Sequence, residues 1–274
     1  MVAASKLQNC KSRLENARTF FAETEKIMNN VNPCEELIDN IYLWPGEADA
    51  AAYLVVTSNR GMCGSYNTNL LESVHRHIGE SGKKEKLLTI GTKGYEYYRR
   101  NGNDVVHNFD DMLETAFYID AVRISHFLRN LFSSGEVSEV HVAYTEFESA
   151  FTHTPKIKRI LPVEVGTAFV NEIRPMKYDA GASLYLDHAI PAYLNTFIYM
   201  ALLESIACEN AARMLNMDAA VDNATDIIEN LTRAYNRKRQ TSVTQEISEI
   251  VSGVNALGGL SGRVSMPARN GFGD

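Results

Sequence analysis

Between Pro191 and Gly253 the chain contains neither glycine nor proline, and apolar residues recur there every third and fourth position: Met214, Met217, Val221, Ala224, Ile228, Leu231, Tyr235. A helix of roughly sixty residues would extend about 90 Å at ~1.5 Å per residue, longer than globular helices usually run. An apolar seam of 4-3-4-3 spacing on so long a helix specifies packing along another helix, as in a coiled coil. The seam then fails at Lys238 and Ser242 and resumes at Val243, Ile247, Ile250, Val254 and Leu257. A coiled-coil helix with a polar collar in mid-seam is the feature that any reading of this chain has to accommodate.

The opening segment supplies a second helix of the same kind. Met1 to Asn32 is free of glycine and proline, and Ala3, Leu7, Cys10, Leu14, Ala17, Phe21, Thr24, Met28 and Val31 form a seam broken only by Thr24. Asn32-Pro33 ends it, because the residue before proline is pushed out of the helical region. Two helices flanking one globular region leave it side by side and run antiparallel. The shorter covers only about the first half of the longer, so the seam Met214 to Tyr235 needs another partner. No capping Ser, Thr, Asp or Asn precedes "VAASKL". The expectation is that the first helix begins inside a longer one, a further segment of about twenty-odd residues at ~1.5 Å per residue supplying the partner. The other occupant of that groove is a different protein.

The middle alternates strands and helices. "AAYLVVTSN" reads as a buried strand, "KLLTIGTKGYEYYRRNG" repeats a strand–turn–helix order, "VSEVHVAYTEF" is a third strand, and "HTPKIKRILPV" adds an extended segment. This order favours a mainly parallel sheet with right-handed crossovers. The expected fold class is α/β, an antiparallel coiled coil of N- and C-terminal helices flanking a Rossmann-like α/β domain. The expected boundaries are 1–32 for the first helix, 33–190 for the α/β domain, 191–257 for the long helix and 258–274 for a Gly-rich flexible tail.

Candidate chemistry is sparse. The net charge of −7 over 274 residues argues against a dedicated nucleic-acid or anionic-membrane binder. The four cysteines, Cys10, Cys34, Cys63 and Cys208, form no C-x-x-C pair and read as free thiols in a reducing compartment. Neither a signal peptide nor an apolar run of membrane-spanning length is legible. The turn "SNRGMCGSYN" follows a strand and opens a helix, where phosphates are often held. It lacks the Lys-Ser/Thr of a P-loop and the third glycine of a dinucleotide fingerprint. Arg60 is an anion-binding candidate there, but Gly61 and Gly64 suit a structural turn better. Cys63, at a helix start, has the place of an activated nucleophile but no linked histidine, and reads as structural. His75 and His77 lie two apart and cannot share a metal on a helix. Asp110-Asp111 reads as solvated loop charge. No cofactor or metal is expected.

The collar itself has two readings. Arg233, Arg237, Lys238 and Arg239, followed by Gln240, Thr241, Ser242, Thr244 and Gln245, form either a solvated helix face or a contact for an acidic partner. Coincidence with the seam's interruption favours contact, since charge-assisted hydrogen bonds give grip without permanent apolar burial.

At "LTRAYNRKRQTSVTQEISEIVSG", "VVTSNRGMCGSYNTN", "ENAARMLNMDAAVDNATDII" and "MVAASKL" the chain resembles the gamma subunit of F-type ATP synthases, over essentially Met1 to Leu257. The resemblance implies a rotor shaft without a catalytic site. It would stand inside a ring of alpha and beta subunits that hold the nucleotide sites, and its α/β foot would rest with the epsilon subunit on the c-subunit ring. It would lie at the cytoplasmic face of the membrane, bound only through those partners. The family's contact with a beta-subunit loop falls here on Arg239, Gln240 and Thr244, and Arg213 matches a position that braces the coiled coil through nearby acids. An enzyme reading, with nucleotide bound at Arg60 to Ser65, and a self-associating coiled-coil adaptor reading remain the rivals.

Overall fold

The computed structural model describes residues 2–31, 40–109, 116–164 and 181–261. The chain divides into two compact units, Met1–Met217 and Asp218–Asp274. Asn32-Pro33, Cys34, Asp110-Asp111 and the tail beyond Ser261 lie outside the described residues.

The first unit is built on a five-stranded sheet: β1 (Ala50–Val56), β2 (Lys84–Ile90), β3 (Val105–Phe109), β4 (Glu139–Phe147) and β5 (His153–Leu161), in the order β3-β2-β1-β4-β5. The first four strands are parallel, with Tyr53 of β1 opposite Leu87 of β2 and His141 of β4. β5 returns antiparallel along β4. A parallel strand needs a crossover, and the chain supplies α2 (Tyr66–Ser81), α3 (Thr92–Arg100) and α4 (Tyr118–Ser133) between successive strands. The 3-2-1-4 order is that of a Rossmann-like sheet.

β1 is buried on both faces, which is why it reads as an unbroken apolar run. Its alternating side chains divide between two cores. Ala51, Tyr53 and Val55 pack with Leu70, Leu71 and Val74 of α2 and Tyr98 of α3. Ala50, Ala52, Leu54 and Val56 face the other core, with Ile124 and Leu128 of α4 and residues of the two terminal helices.

Those terminal helices are α1 (Val2–Asn29) and α5 (Ala182–Ser261). The predicted seam of α1 is its buried face: Cys10, Leu14, Ala17, Phe21, Met28 and the following Val31 are all buried. Its contacts with α5 run in opposite directions. Cys10 Sγ donates to the Leu203 carbonyl, the Arg13 guanidinium bonds the Tyr199 hydroxyl, and Phe21 packs on Phe197 and Tyr193 at 5.5 and 5.6 Å. The pair is therefore antiparallel, as the sequence requires.

α5 starts at Ala182, not after Pro191, which lies inside the helix. A proline there removes one ladder hydrogen bond and crowds the preceding turn, at a cost of about 3 kcal/mol. Leu186, Ile190, Leu194 and Phe197 are all almost completely buried around it. Burying aliphatic and aromatic side chains at about 1.5–3 kcal/mol each outweighs that cost. An 18-residue window of α5 is apolar enough by composition to cross a membrane, yet 72% of that window is buried inside the protein, as in a core helix.

The second unit, taken by itself, contains the remainder of α5. Every residue from Asp218 to Ala256 is exposed, including Val221, Ile228, Leu231, Tyr235, Val243, Ile247, Ile250 and Val254.

Candidate functional site

The turn between β1 and α2 is built by its own side chains. The Asn67 amide donates to Ser58 Oγ at 2.7 Å and to Cys63 Sγ at 3.3 Å, while Asn67 Oδ1 accepts from the Ser58 N–H at 3.0 Å. Ser58 Oγ in turn donates to the Arg60 carbonyl at 2.8 Å. Met62 and Gly64 both adopt positive φ, 63° and 57°. These bonds aim the carbonyls of Arg60 and Gly61 at α5. There Arg213 donates to both, at 3.3 to 3.4 Å, and forms a 2.7 Å ion pair with Glu209 one turn earlier. Burial pushes the Glu209 carboxyl above its ordinary range, with Arg213 pulling against it.

Arg213 thus joins the Gly-containing turn to the long helix. Gly64 allows the close approach: a Cβ at that position would lie 2.5 Å from Asn216 Nδ2. The turn whose position after a strand suggested an anion site uses its carbonyls to hold a helix. Cys63 is buried, and its sulfur accepts from Asn67. Cys10 and Cys208 are also buried thiols, and burial pushes Cys10 up to about 11 and Cys208 higher still. A thiol held so far up has almost no thiolate, and hence little nucleophilicity, at neutral pH.

Arg239, Gln240 and Thr244 sit on the exposed part of α5. Thr244 Oγ1 donates to the Gln240 carbonyl at 2.8 Å, and Thr241 Oγ1 to the Arg237 carbonyl at 3.0 Å. Threonine hydroxyls that bond one turn back keep a helix polar without asking for a partner. Arg233 pairs with Glu229 at 3.2 Å. Among the described residues, Arg237, Lys238 and Arg239 make no ion pair within this chain.

Two constellations were not legible in the sequence. Arg18 of α1 reaches Glu204 of α5 at 2.7 Å and the Phe147 carbonyl at 2.5 Å, joining three elements. His77 meets His141 edge-on at 5.2 Å, and His141 stacks on Tyr53 at 5.0 Å with its Nε2 3.1 Å from Glu139. Histidines 64 positions apart carry no local spacing; the β1–β4 pairing sets His141 beside Tyr53, and α2 packing on the sheet brings His77 to both. Among the described residues no group of three or more His, Cys, Asp or Glu is placed to hold a metal ion.

These features define a class: a Rossmann-like scaffold that grips a long C-terminal helix through the turn where sheets of this topology commonly hold a cofactor. A model of the ATP synthase family matches residues 1–257. The ATP synthase gamma chain of Lachnoclostridium phytofermentans is 36% identical over 94% of this chain and 91% of its own. That of Alkaliphilus metalliredigens is 35% identical with the same coverage. The chain belongs to the ATP synthase gamma-chain family, whose members are non-catalytic subunits of that complex. In shape it is similar to a chain of the Tetrahymena thermophila mitochondrial ATP synthase central stalk and c-ring structure. The TM-score is 0.61 at 24% identity, covering 81% of this chain and 96% of that one. A chain of the Euglena gracilis mitochondrial ATP synthase follows, with TM-score 0.60 at 15% identity over 99% and 98%.

Proposed function

We propose that this chain is the rotating shaft that couples ion flow through a membrane c-ring to ATP synthesis or hydrolysis in an alpha–beta ring. In this reading the α/β domain sits with an epsilon subunit on the c-ring, at the cytoplasmic face of the membrane. The exposed part of α5 stands among the alpha and beta subunits. Arg239, Gln240 and Thr244 engage a beta-subunit loop, and Arg213 braces α5 against the β1–α2 turn. Nucleotide chemistry belongs to the ring, and this subunit acts by pushing on it.

The observation that carries the reading is the run from Asp218 to Ala256, exposed throughout, with seam residues on either side of a polar collar. A surface that must bind and release in every turn is better served by hydrogen bonds and charge than by permanently buried leucine. Replacing Arg239 and Gln240 together by Ala in a reconstituted complex is expected to weaken ion pumping driven by ATP hydrolysis, with the circular dichroism of the subunit unchanged. Unaltered pumping per ATP would remove the contact role from this pair.

A further inference from the structure

At the His77–His141 contact, charge on one ring opposes charge on the other. His141 is 7% exposed and lies flat on Tyr53, and the His77 ring meets both edge-on, 5.2 Å from His141 and 5.9 Å from Tyr53. The titratable and charged groups around His141 come from each neighbouring element: Tyr53 from β1, His77 from α2, Lys83 from the α2–β2 connection, Glu85 from β2, Glu139 from β4 itself and Arg159 from β5. Arg159 stands opposite His141 in the ladder and pairs with Glu164 at 2.5 Å. One Glu139 oxygen lies 3.1 Å from His141 Nε2 and the other accepts from Lys83 Nζ at 2.9 Å. A single carboxylate is therefore shared between the imidazole and the lysine.

Burial pushes the His141 imidazole below its ordinary range, the Glu139 bond pulls it upward, and His77 and Arg159 add to the depression. Burial works the other way on Glu139, but hydrogen bonds from Lys83 and His141 hold that carboxyl below its ordinary range, so it stays charged where imidazoles titrate. The end of α2 that carries His77 is weakly held. Leu70, Leu71 and Val74 are buried, but from His75 to Ser81 no residue is, and only His77 and Ile78 are half-buried.

We propose that the His77–His141 contact is an acid-sensitive latch, which holds the C-terminal end of α2 on the sheet while His141 is neutral and lets go when His141 takes a proton. A protonated His141 faces His77, Lys83 and Arg159 with one carboxylate to share. Lifting the end of α2 carries His77 away and admits water to the imidazolium, which relieves both the repulsion and the desolvation. The sign follows from the depressed value. Between it and the ordinary value the lifted form holds a proton that the closed form lacks, so closure weakens as pH falls through that window and is complete above it. The latch lies wholly within Met1–Met217 and does not depend on the shaft reading.

The test combines two measurements on the purified full chain: histidine ring titration by NMR, and amide hydrogen exchange corrected for the intrinsic effect of pH. The His141 midpoint is expected below the ordinary value of about 6.5, and it should rise in His77→Gln, which removes the opposing ring. Amides at the end of α2, from Ile78 to Ser81, should lose protection by about threefold or more between pH 7.5 and 5.5, while those beside Leu70 and Val74 hold theirs. That loss should shrink in His77→Gln and vanish in His141→Gln, which still offers Glu139 a donor. A purely structural role for His77 would instead lower protection equally at both pH values and leave the His141 midpoint where it is. Should His141→Gln fail to fold, the ring titration in His77→Gln decides alone. A midpoint unmoved by that substitution, or protection at the end of α2 that ignores pH in the wild type, overturns the proposal.

Discussion

Glu204 shows how a buried residue can couple stability to pH. Its side chain is 3% exposed, Oε1 is held by Arg18, and Oε2 has no partner. Burial raises its carboxyl above the ordinary range, against the pull of Arg18. Between the ordinary value and that raised value the folded chain holds a proton that the unfolded chain has released. Stability contributed by this group therefore falls as pH rises through that window and is fully retained only below it. Glu204→Gln keeps the acceptor for Arg18 without the charge. The variant is expected to gain on the wild type as pH climbs from about 4.5 toward 8, the direction set by a raised carboxylate. Melting curves across that range check this, and a constant difference would exclude the coupling. At Gly64 the backbone sets the outcome, since its φ of 57° is costly for any residue with a Cβ. Gly64→Ala should lose about 1–2 kcal/mol in chemical denaturation. Asn216→Ala added to it relieves the 2.5 Å approach but not the φ cost. The Arg213–Glu209 pair, four apart on one helix, was within reach of sequence reasoning. Arg18–Glu204, 186 positions apart, was not, because nothing short of the helix register brings those residues together.

At the scale of elements, what could be read was whatever depends on local period. The α1 seam follows from spacing alone, and its one polar break, Thr24, is half-buried with its hydroxyl turned back to the Phe21 carbonyl at 2.8 Å. Leu14, 1% exposed, sits at the centre of that seam. Leu14→Ala should cost about 2–5 kcal/mol through lost transfer energy and a residual cavity, whereas Thr24→Ala should cost little. Urea unfolding of the isolated chain separates the two, and equal losses would mean that the seam is not the packed face. β3 was missed because Val105–Phe109 is short, polar at His107 and Asn108, and placed at the sheet edge, where one-sided burial weakens the apolar signal. The start of α5 was misplaced because proline usually marks a boundary. At Pro191 tertiary burial overrode the local rule, which no window of sequence could have shown.

For the molecule as a whole, the two compact units differ in what makes their parts of α5 helical. From Leu186 to Ala212 the helix is fixed by core packing, with Leu186, Phe197, Leu203 and Ala207 essentially inaccessible to water. From Asp218 to Ala256 no side chain is buried. Helicity there depends on propensity and on side-chain pairs such as Arg233–Glu229 and Gln245–Glu249. Such pairs contribute only about 0.2–0.5 kcal/mol each, and most helices in proteins owe their persistence to an apolar face packed on something. Amides in the exposed stretch should therefore open locally far more easily than those in the core stretch. Hydrogen exchange on the isolated chain is expected to show protection at least roughly a hundredfold lower beyond Asp218 than between Leu186 and Ala212, as free energies of local opening range from near zero to the global value. In the assembled complex the same amides should slow, most of all beside Val221, Ile228, Leu231 and Val243, if the seam is covered by partners there. Uniform protection along α5 in the isolated chain would mean that the exposed seam is stable without a partner, and the case for it as a contact surface would fail.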